Sequence, residues 1–146
     1  MNIRRGTSII EVVIATALIS VAIISALSLA NSSQKQNTYA RGLAEGTKYA
    51  TQAADWIRTQ RNTLGFATIA SKDAGLYCIN NLPVDFSLSS PSPCDSTYIK
   101  IGTEDTKYQR TLTLTSDGSK VTATIVVSWL ENTPRQSTIQ VELTQW

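Results

Sequence analysis

The sequence predicts an α+β fold in which one long N-terminal helix packs on a C-terminal antiparallel β-meander. An apolar run beginning at Ile9 leads into a one-sided helical stripe, and no proline occurs between Met1 and Asn62. The last stretch of the chain alternates polar and apolar residues in three segments separated by turn sequences. Between these regions, two cysteines enclose a loop rich in proline and serine.

Length and composition predict one modest hydrophobic core. The chain has 146 residues, of which 42% are hydrophobic, and this suits a single domain with an appendage. Its 13 basic and 11 acidic side chains give a formal charge of +2, for which Arg4 and Arg5 account. No clustered basic stripe with interleaved aromatics occurs, so nucleic acid is not an expected partner.

The apolar segment, residues 9–30, predicts a helix that crosses a membrane. Its 22 residues include one ionisable side chain, Glu11, and at about 1.5 Å per residue they span a hydrocarbon layer of roughly 30 Å. A cleaved secretory signal and a twin-arginine signal, the latter suggested by Arg4 and Arg5, are alternative interpretations. The pattern favours a third, in which a short basic leader ends at Gly6 and the helix is retained.

The second half of the same helix, residues 31–64, is predicted to cover the sheet. Its stripe has small residues at its middle, which allow close approach. The stripe consists of Tyr39, Leu43, Gly46, Ala50, Ala53, Ile57 and Leu64. A second set of side chains is predicted to face solvent or a neighbouring subunit, namely Lys48, Asp55, Arg58 and Arg61.

The rest of the chain, residues 65–146, is predicted to be a β-rich head. Short strand candidates occur at residues 76–80, 84–88 and 98–101. The meander is clearer: "YQRTLTLTS", the turn at Asp117 and Gly118, "KVTATIVVSWL", the turn "ENTPRQ", and "STIQVELTQW". One face of its second strand is apolar at alternate positions, and these are Val121, Ala123, Ile125, Val127 and Trp129.

The two cysteines, Cys78 and Cys94, have 15 residues between them. A disulfide would close this loop, stabilise the fold by about 3 kcal/mol, and persist outside a reducing cytosol. Two unpaired buried thiols are the alternative. We expect the loop to protect a sheet edge or to contact a neighbouring subunit.

The residue types present do not favour an enzyme. The chain has no histidine and two cysteines, so neither a structural zinc site nor a histidine-supported thiol nucleophile can be built. The adjacent Glu104 and Asp105 are predicted to solvate a turn rather than to perform acid–base chemistry. Calcium binding there is an open alternative that the ligand spacing does not support. No cofactor and no metal are expected.

The N-terminal residues also carry a family resemblance. "RRG" followed by "TSIIEVVIA" resembles the class III signal of type IV prepilins and type II secretion pseudopilins, in which a leader peptidase cuts after glycine and the fifth mature residue is glutamate. The resemblance implies cleavage between Gly6 and Thr7, N-methylation of Thr7, and an assembly role for Glu11. Thr7 stands where the family usually has phenylalanine. "ADWIRTQRN" and the final "LTQW" resemble minor pilins of the V type and pseudopilins of the I type.

This resemblance implies a structural subunit with a cleaved leader at residues 1–6, a transmembrane assembly helix at 7–30 and a head outside the cytoplasm. Its partners would be other pilin or pseudopilin subunits, the prepilin peptidase and the assembly platform of the inner membrane. Glu11 would then compensate the charged amine that cleavage leaves on Thr7 of a neighbour. Alternatively, Glu11 snorkels to the membrane interface, and the chain is a single-pass membrane-anchored binding or adhesion protein that forms no filament.

Overall fold

A long helix is followed by an antiparallel sheet, which confirms the α+β class. The structure is a computed structural model and describes residues 8–84, 86, 88, 90–95 and 97–145. Its elements in chain order are helices α1 (Ile9–Leu64) and α2 (Phe66–Ala70), and strands β1 (Gly75–Cys78), β2 (Lys100–Ile101), β3 (Glu104–Asp105), β4 (Tyr108–Ser116), β5 (Lys120–Leu130) and β6 (Pro134–Thr144).

The chain divides into two compact units, Met1–Arg41 and Gly42–Trp146. The buried apolar side chains that the structure describes all belong to the second unit, hereafter the head. The largest of them that are almost fully buried are Ile57, Ile69, Ile79, Tyr108, Leu112 and Ile125, with Val121 and Val127. The head therefore has a hydrophobic core of its own.

The main sheet has the strand order β1-β4-β5-β6 and is antiparallel throughout. The turn between β4 and β5 is the predicted one. The Asp117 carboxylate accepts hydrogen bonds from the backbone N–H groups of Ser119 and Lys120, and Gly118 has φ +90°, which a glycine adopts without strain. These bonds lower the pKa of Asp117, that of the Lys120 N–H contributing most.

The second turn of the meander is shorter than the predicted "ENTPRQ". Leu130 pairs with Pro134, so β6 already begins at the proline. A proline has no N–H to donate, and it is tolerated here because it is the first residue of an edge strand.

Of the three short strand candidates before the meander, two correspond to strands and one does not. The candidate at 76–80 corresponds to β1, and the candidate at 98–101 shrinks to the two-residue β2, which pairs with β3. Glu104 and Asp105, predicted in a turn, form β3. The candidate at 84–88 is wrong, because its described residues belong to no strand. Two backbone carbonyls at this point accept hydrogen bonds from α1 side chains instead. Helix α2 was not predicted.

Helix α1 covers the inner face of the sheet with small residues. All five predicted inward positions of β5 are buried, and the helix buries Gly42, Gly46, Ala50, Ala53, Ala54, Ile57, Gln60 and Arg61. Three predicted members of the stripe, Tyr39, Leu43 and Leu64, remain 37–42% exposed and lie at its margins.

The prediction that Arg61 faces solvent or a neighbouring subunit is wrong. Its side chain is 9% exposed, and its Nη2 donates to the Thr144 carbonyl at 2.7 Å. Its Nη1 also donates to Asn62 Oδ1 at 3.1 Å, so the cation is held by hydrogen bonds where the helix meets the last strand. Arg58 and Asp55, by contrast, form an exposed ion pair at 3.0 Å, as predicted for the solvated side.

Candidate assembly helix and disulfide loop

The first part of α1 exposes its apolar side chains. Every Val, Ile and Leu side chain from Ile9 to Leu29 is more than half exposed. The most hydrophobic 18-residue window of this helix is long and apolar enough to cross a membrane, and none of it is buried inside the protein. A helix belonging to the core of a soluble domain would bury such residues, so this segment needs another apolar environment.

Three of the four hydroxyl groups within the apolar segment donate to carbonyls of the helix itself. Thr16 donates to the Val13 carbonyl at 2.9 Å, Ser20 to the Thr16 carbonyl at 2.8 Å, and Ser25 to the Val21 carbonyl at 2.9 Å. An unsatisfied polar group is costly in hydrocarbon. These three hydroxyls therefore leave the segment compatible with a membrane.

Glu11 lies in the first turn of α1 and is exposed. Its backbone N–H donates to the Ser8 carbonyl at 2.9 Å. Because Glu11 is in the first turn, its carboxylate is near the positive end of the helix dipole. The predicted cleavage residues, Gly6 and Thr7, lie outside the described residues. The structure therefore places the glutamate and not the bond that a leader peptidase would cut.

A disulfide joins Cys78 at the end of β1 to Cys94, as predicted. It closes the loop of residues 79–93, hereafter the disulfide loop. At the edge of the sheet, a Cβ built on Gly75 would come within 2.8 Å of the Pro91 side chain. The loop thus lies against the short edge strand β1, which agrees with the expectation that it protects a sheet edge.

Side chains of α1 fasten the first part of the disulfide loop. The Trp56 Nε1 donates to the Pro83 carbonyl at 2.8 Å, and the Gln60 Nε2 donates to the Val84 carbonyl at 2.9 Å. The ring of Phe86, which is buried, lies 5.4 Å from the Trp56 ring. The aromatic residues in this region therefore belong to the packing of the loop on the helix.

Sequence reasoning missed a buried cation, Arg110, which is 3% exposed on the inner face of β4. Its guanidinium donates to three backbone carbonyls: Nε to Ile79 at 2.9 Å, Nη1 to Tyr49 at 3.0 Å and Nη2 to Asn80 at 3.1 Å. Burial lowers its pKa to about 10. The alternation in "YQRTLTL" could have found it, because that alternation puts Arg110 on the same face as Tyr108 and Leu112.

Tyr108 ties the other end of β4 to the helix. Its hydroxyl donates to the Glu45 carboxylate at 2.9 Å, and the Gly42 carbonyl oxygen lies 3.1 Å from the Tyr108 hydroxyl oxygen. Burial, followed by the hydrogen bond to Glu45, raises the pKa of the phenol. The ring also packs against Tyr49 and Trp129, with centroids 5.2 and 5.5 Å away.

The acidic side chains of the described residues do not gather into a metal-binding group. No group of three or more potential metal-ligating side chains occurs in the part of the chain that the structure describes. Asp105 lies 3.6 Å from Lys100 in an exposed ion pair across the β2–β3 hairpin. Such a pair contributes little to stability.

The comparisons with protein-family models, with curated proteins and with solved structures find no match to this chain.

Proposed function

We propose that this chain is a structural subunit, a minor pilin or pseudopilin, of a type IV pilus or a type II secretion-like filament. The observation that carries the proposal is the position of Glu11, five residues after Gly6, at the start of an apolar helical segment whose Val, Ile and Leu side chains are exposed. A basic leader, a glycine and an uninterrupted apolar helix at that offset resemble the class III signal.

In this proposal, the prepilin peptidase removes residues 1–6 on the cytoplasmic side and Thr7 becomes the N-terminal residue. The apolar segment first spans the cytoplasmic membrane and then packs among the same segments of neighbouring subunits. The Glu11 carboxylate approaches the Thr7 amine of a neighbour, since each charge alone would be costly in an apolar environment.

The orientation places the head outside the cytoplasm. Support comes from the Cys78–Cys94 disulfide, because such bonds persist in oxidising compartments and are rare in the cytosol. The assembly platform of the inner membrane and the other subunits are the expected partners. The role is structural, with no catalytic centre assigned.

The first experiment compares the membrane-extracted protein expressed with and without a prepilin peptidase, by intact mass and N-terminal sequencing. We expect a terminus at Thr7, methylated or not, when the peptidase is present, and retention of Met1 in the Gly6→Leu variant. Retention of residues 1–6 under both conditions would instead indicate a single-pass anchored binding protein. A terminus beyond residue 30 would indicate a cleaved secretory signal.

The second experiment measures incorporation of Glu11→Gln into filaments sheared from cells that express the complete assembly machinery. We expect the variant to be processed and to remain in the membrane, with at least a tenfold loss from filaments. Asp55→Asn is the matched control, because that carboxylate is exposed on the same helix but lies in the head. Equal incorporation of Glu11→Gln and wild type would refute the assembly role.

A further inference from the structure

The buried Arg110 guanidinium lacks a counter-charge among the carboxylates that the structure describes. The ion pairs there involve other residues, and the partners of Arg110 are backbone carbonyls. A buried cation is tolerated when its donors are all satisfied, and it is costly when they are not. The stability of this site therefore depends on holding the carbonyls in place.

Two of those three carbonyls belong to Ile79 and Asn80, which directly follow Cys78. Asn80 makes further bonds in the same place: its Oδ1 accepts the Arg110 backbone N–H at 2.6 Å, and its Nδ2 donates to the Thr97 carbonyl at 2.8 Å. The Ile79 N–H donates in turn to the Arg110 carbonyl at 3.0 Å. We call Arg110, Ile79 and Asn80 the Arg110 cluster.

The disulfide contacts this cluster through the sulfur of Cys94. Cys94 Sγ is 3.4 Å from the Arg110 carbonyl oxygen, a contact and not a hydrogen bond, because a bonded sulfur carries no proton. Strand β1, which directly precedes the two residues that supply these carbonyls, is four residues long. So short a strand has few ladder bonds of its own, and the covalent link at Cys78 fixes its end.

We propose that the Cys78–Cys94 disulfide acts as a switch that permits burial of Arg110, so that the head closes around the guanidinium after oxidation and releases it after reduction. In closing, the two thiols lose two protons and two electrons to a disulfide-containing oxidant, which leaves as a dithiol. A dithiol reductant reverses the reaction. This inference goes beyond the proposed function and does not depend on filament assembly.

A double-mutant cycle on the full chain in detergent tests the coupling. Thermal unfolding, followed by near-ultraviolet circular dichroism, compares wild type, Cys78→Ser with Cys94→Ser, Arg110→Met, and all three substitutions together. Methionine fills the site without a charge. We expect loss of the disulfide to lower the melting temperature by about 10 °C more with arginine at position 110 than with methionine.

Arg61→Met is the matched control, because Arg61 is also a buried arginine that donates to a backbone carbonyl, that of Thr144. Its effect should add to that of disulfide loss, since Asn62 and Thr144, which accept its hydrogen bonds, lie outside the Arg110 cluster. If loss of the disulfide lowers the melting temperature equally with arginine and with methionine at position 110, the proposal is overturned.

Hydrogen exchange of the wild-type protein supplies a test that needs no substitution. Oxidised protein and protein reduced with dithiothreitol are compared by mass spectrometry at peptide resolution. We expect faster exchange after reduction in peptides containing Ile79 and Arg110, whose amides both lie in the cluster, with unchanged exchange in β5 and β6. Uniformly faster exchange across the head, or no change in the cluster, would contradict the switch.

Discussion

Replacement by alanine is predicted to affect the stability of the protein differently at the two glycines of α1. Gly42 and Gly46 lie one turn apart on the buried side of the helix. In the interior of a helix, exchange of glycine for alanine contributes about 1 kcal/mol of favourable propensity. The sign of the net change therefore depends on what the new methyl group meets.

At Gly46 the methyl group would meet an aromatic ring. A Cβ built there lies 2.7 Å from Trp129 Cζ3 and 3.2 Å from two further ring carbons. The Trp129 side chain is 4% exposed, so it has little room to move. Overpacking of this kind costs about 1–3 kcal/mol. Gly46→Ala should therefore lower the free energy of unfolding by about 1 kcal/mol after the gain in propensity.

At Gly42 the nearest atom is the end of a flexible side chain. The Cβ would lie 2.5 Å from Glu131 Oε1 and 3.1 Å from Trp129 Nε1. The carboxylate can rotate away at the expense of its ion pair with Lys107, which is partly exposed and contributes roughly 0–1 kcal/mol. Gly42→Ala should therefore leave stability unchanged or raise it by up to about 1 kcal/mol.

The assay is the thermal melt of the detergent-solubilised full chain, followed by far-ultraviolet circular dichroism, which reports on the helix and the sheet in every variant. We expect Gly46→Ala to melt about 5–10 °C below Gly42→Ala. Combining Gly46→Ala with Trp129→Phe shortens the ring system and should remove most of the clash. If Gly46→Ala is as stable as Gly42→Ala, the close approach of helix and sheet does not control stability as argued.

Three further predictions concern the head. Burial raises the pKa of Tyr108 above 10, so the folded state holds the phenol proton more tightly than the unfolded chain does. The free energy of unfolding should therefore fall as the pH rises past 10. Tyr108→Phe should flatten this fall in melts taken from about pH 9 to 11. Leu112→Ala, at a fully buried position, should cost about 2–5 kcal/mol in denaturant unfolding, whereas Thr113→Ala on the opposite face should cost less than about 1 kcal/mol. Trp56→Phe removes the donor to the Pro83 carbonyl and should accelerate hydrogen exchange in the disulfide loop without changing that of β5.

The periodic parts of the sequence were enough to predict most of the fold. The predicted inward residues of β5 are all buried, as expected of a strand with one buried face. The Asp117–Gly118 turn was also predictable, because its side chain and its positive φ are both local properties. The disulfide followed from composition, with unpaired thiols as the alternative.

Errors in the prediction came where tertiary contacts override local pattern. Val84 and Phe86 have strand-like residue types, but helix side chains donate to the carbonyls of Pro83 and Val84, and neither Val84 nor Phe86 belongs to a strand. Arg61 and Arg110 look like surface cations in sequence, yet carbonyls from distant segments satisfy them in the interior. A sequence pattern does not reveal which distant backbone atoms will face a side chain.

The edges of the sheet differ in a way that limits aggregation. Strand β1 is four residues long and has the disulfide loop against it, whereas β6 is an edge strand of eleven residues whose Thr138 and Gln140 are exposed. Exposed strand edges are templates for cross-pairing between molecules. Two heads that paired through their β6 edges would present a blocked β1 at each outer side. Strand pairing would then stop at two copies, so the protected β1 edge would prevent further growth into a fibril.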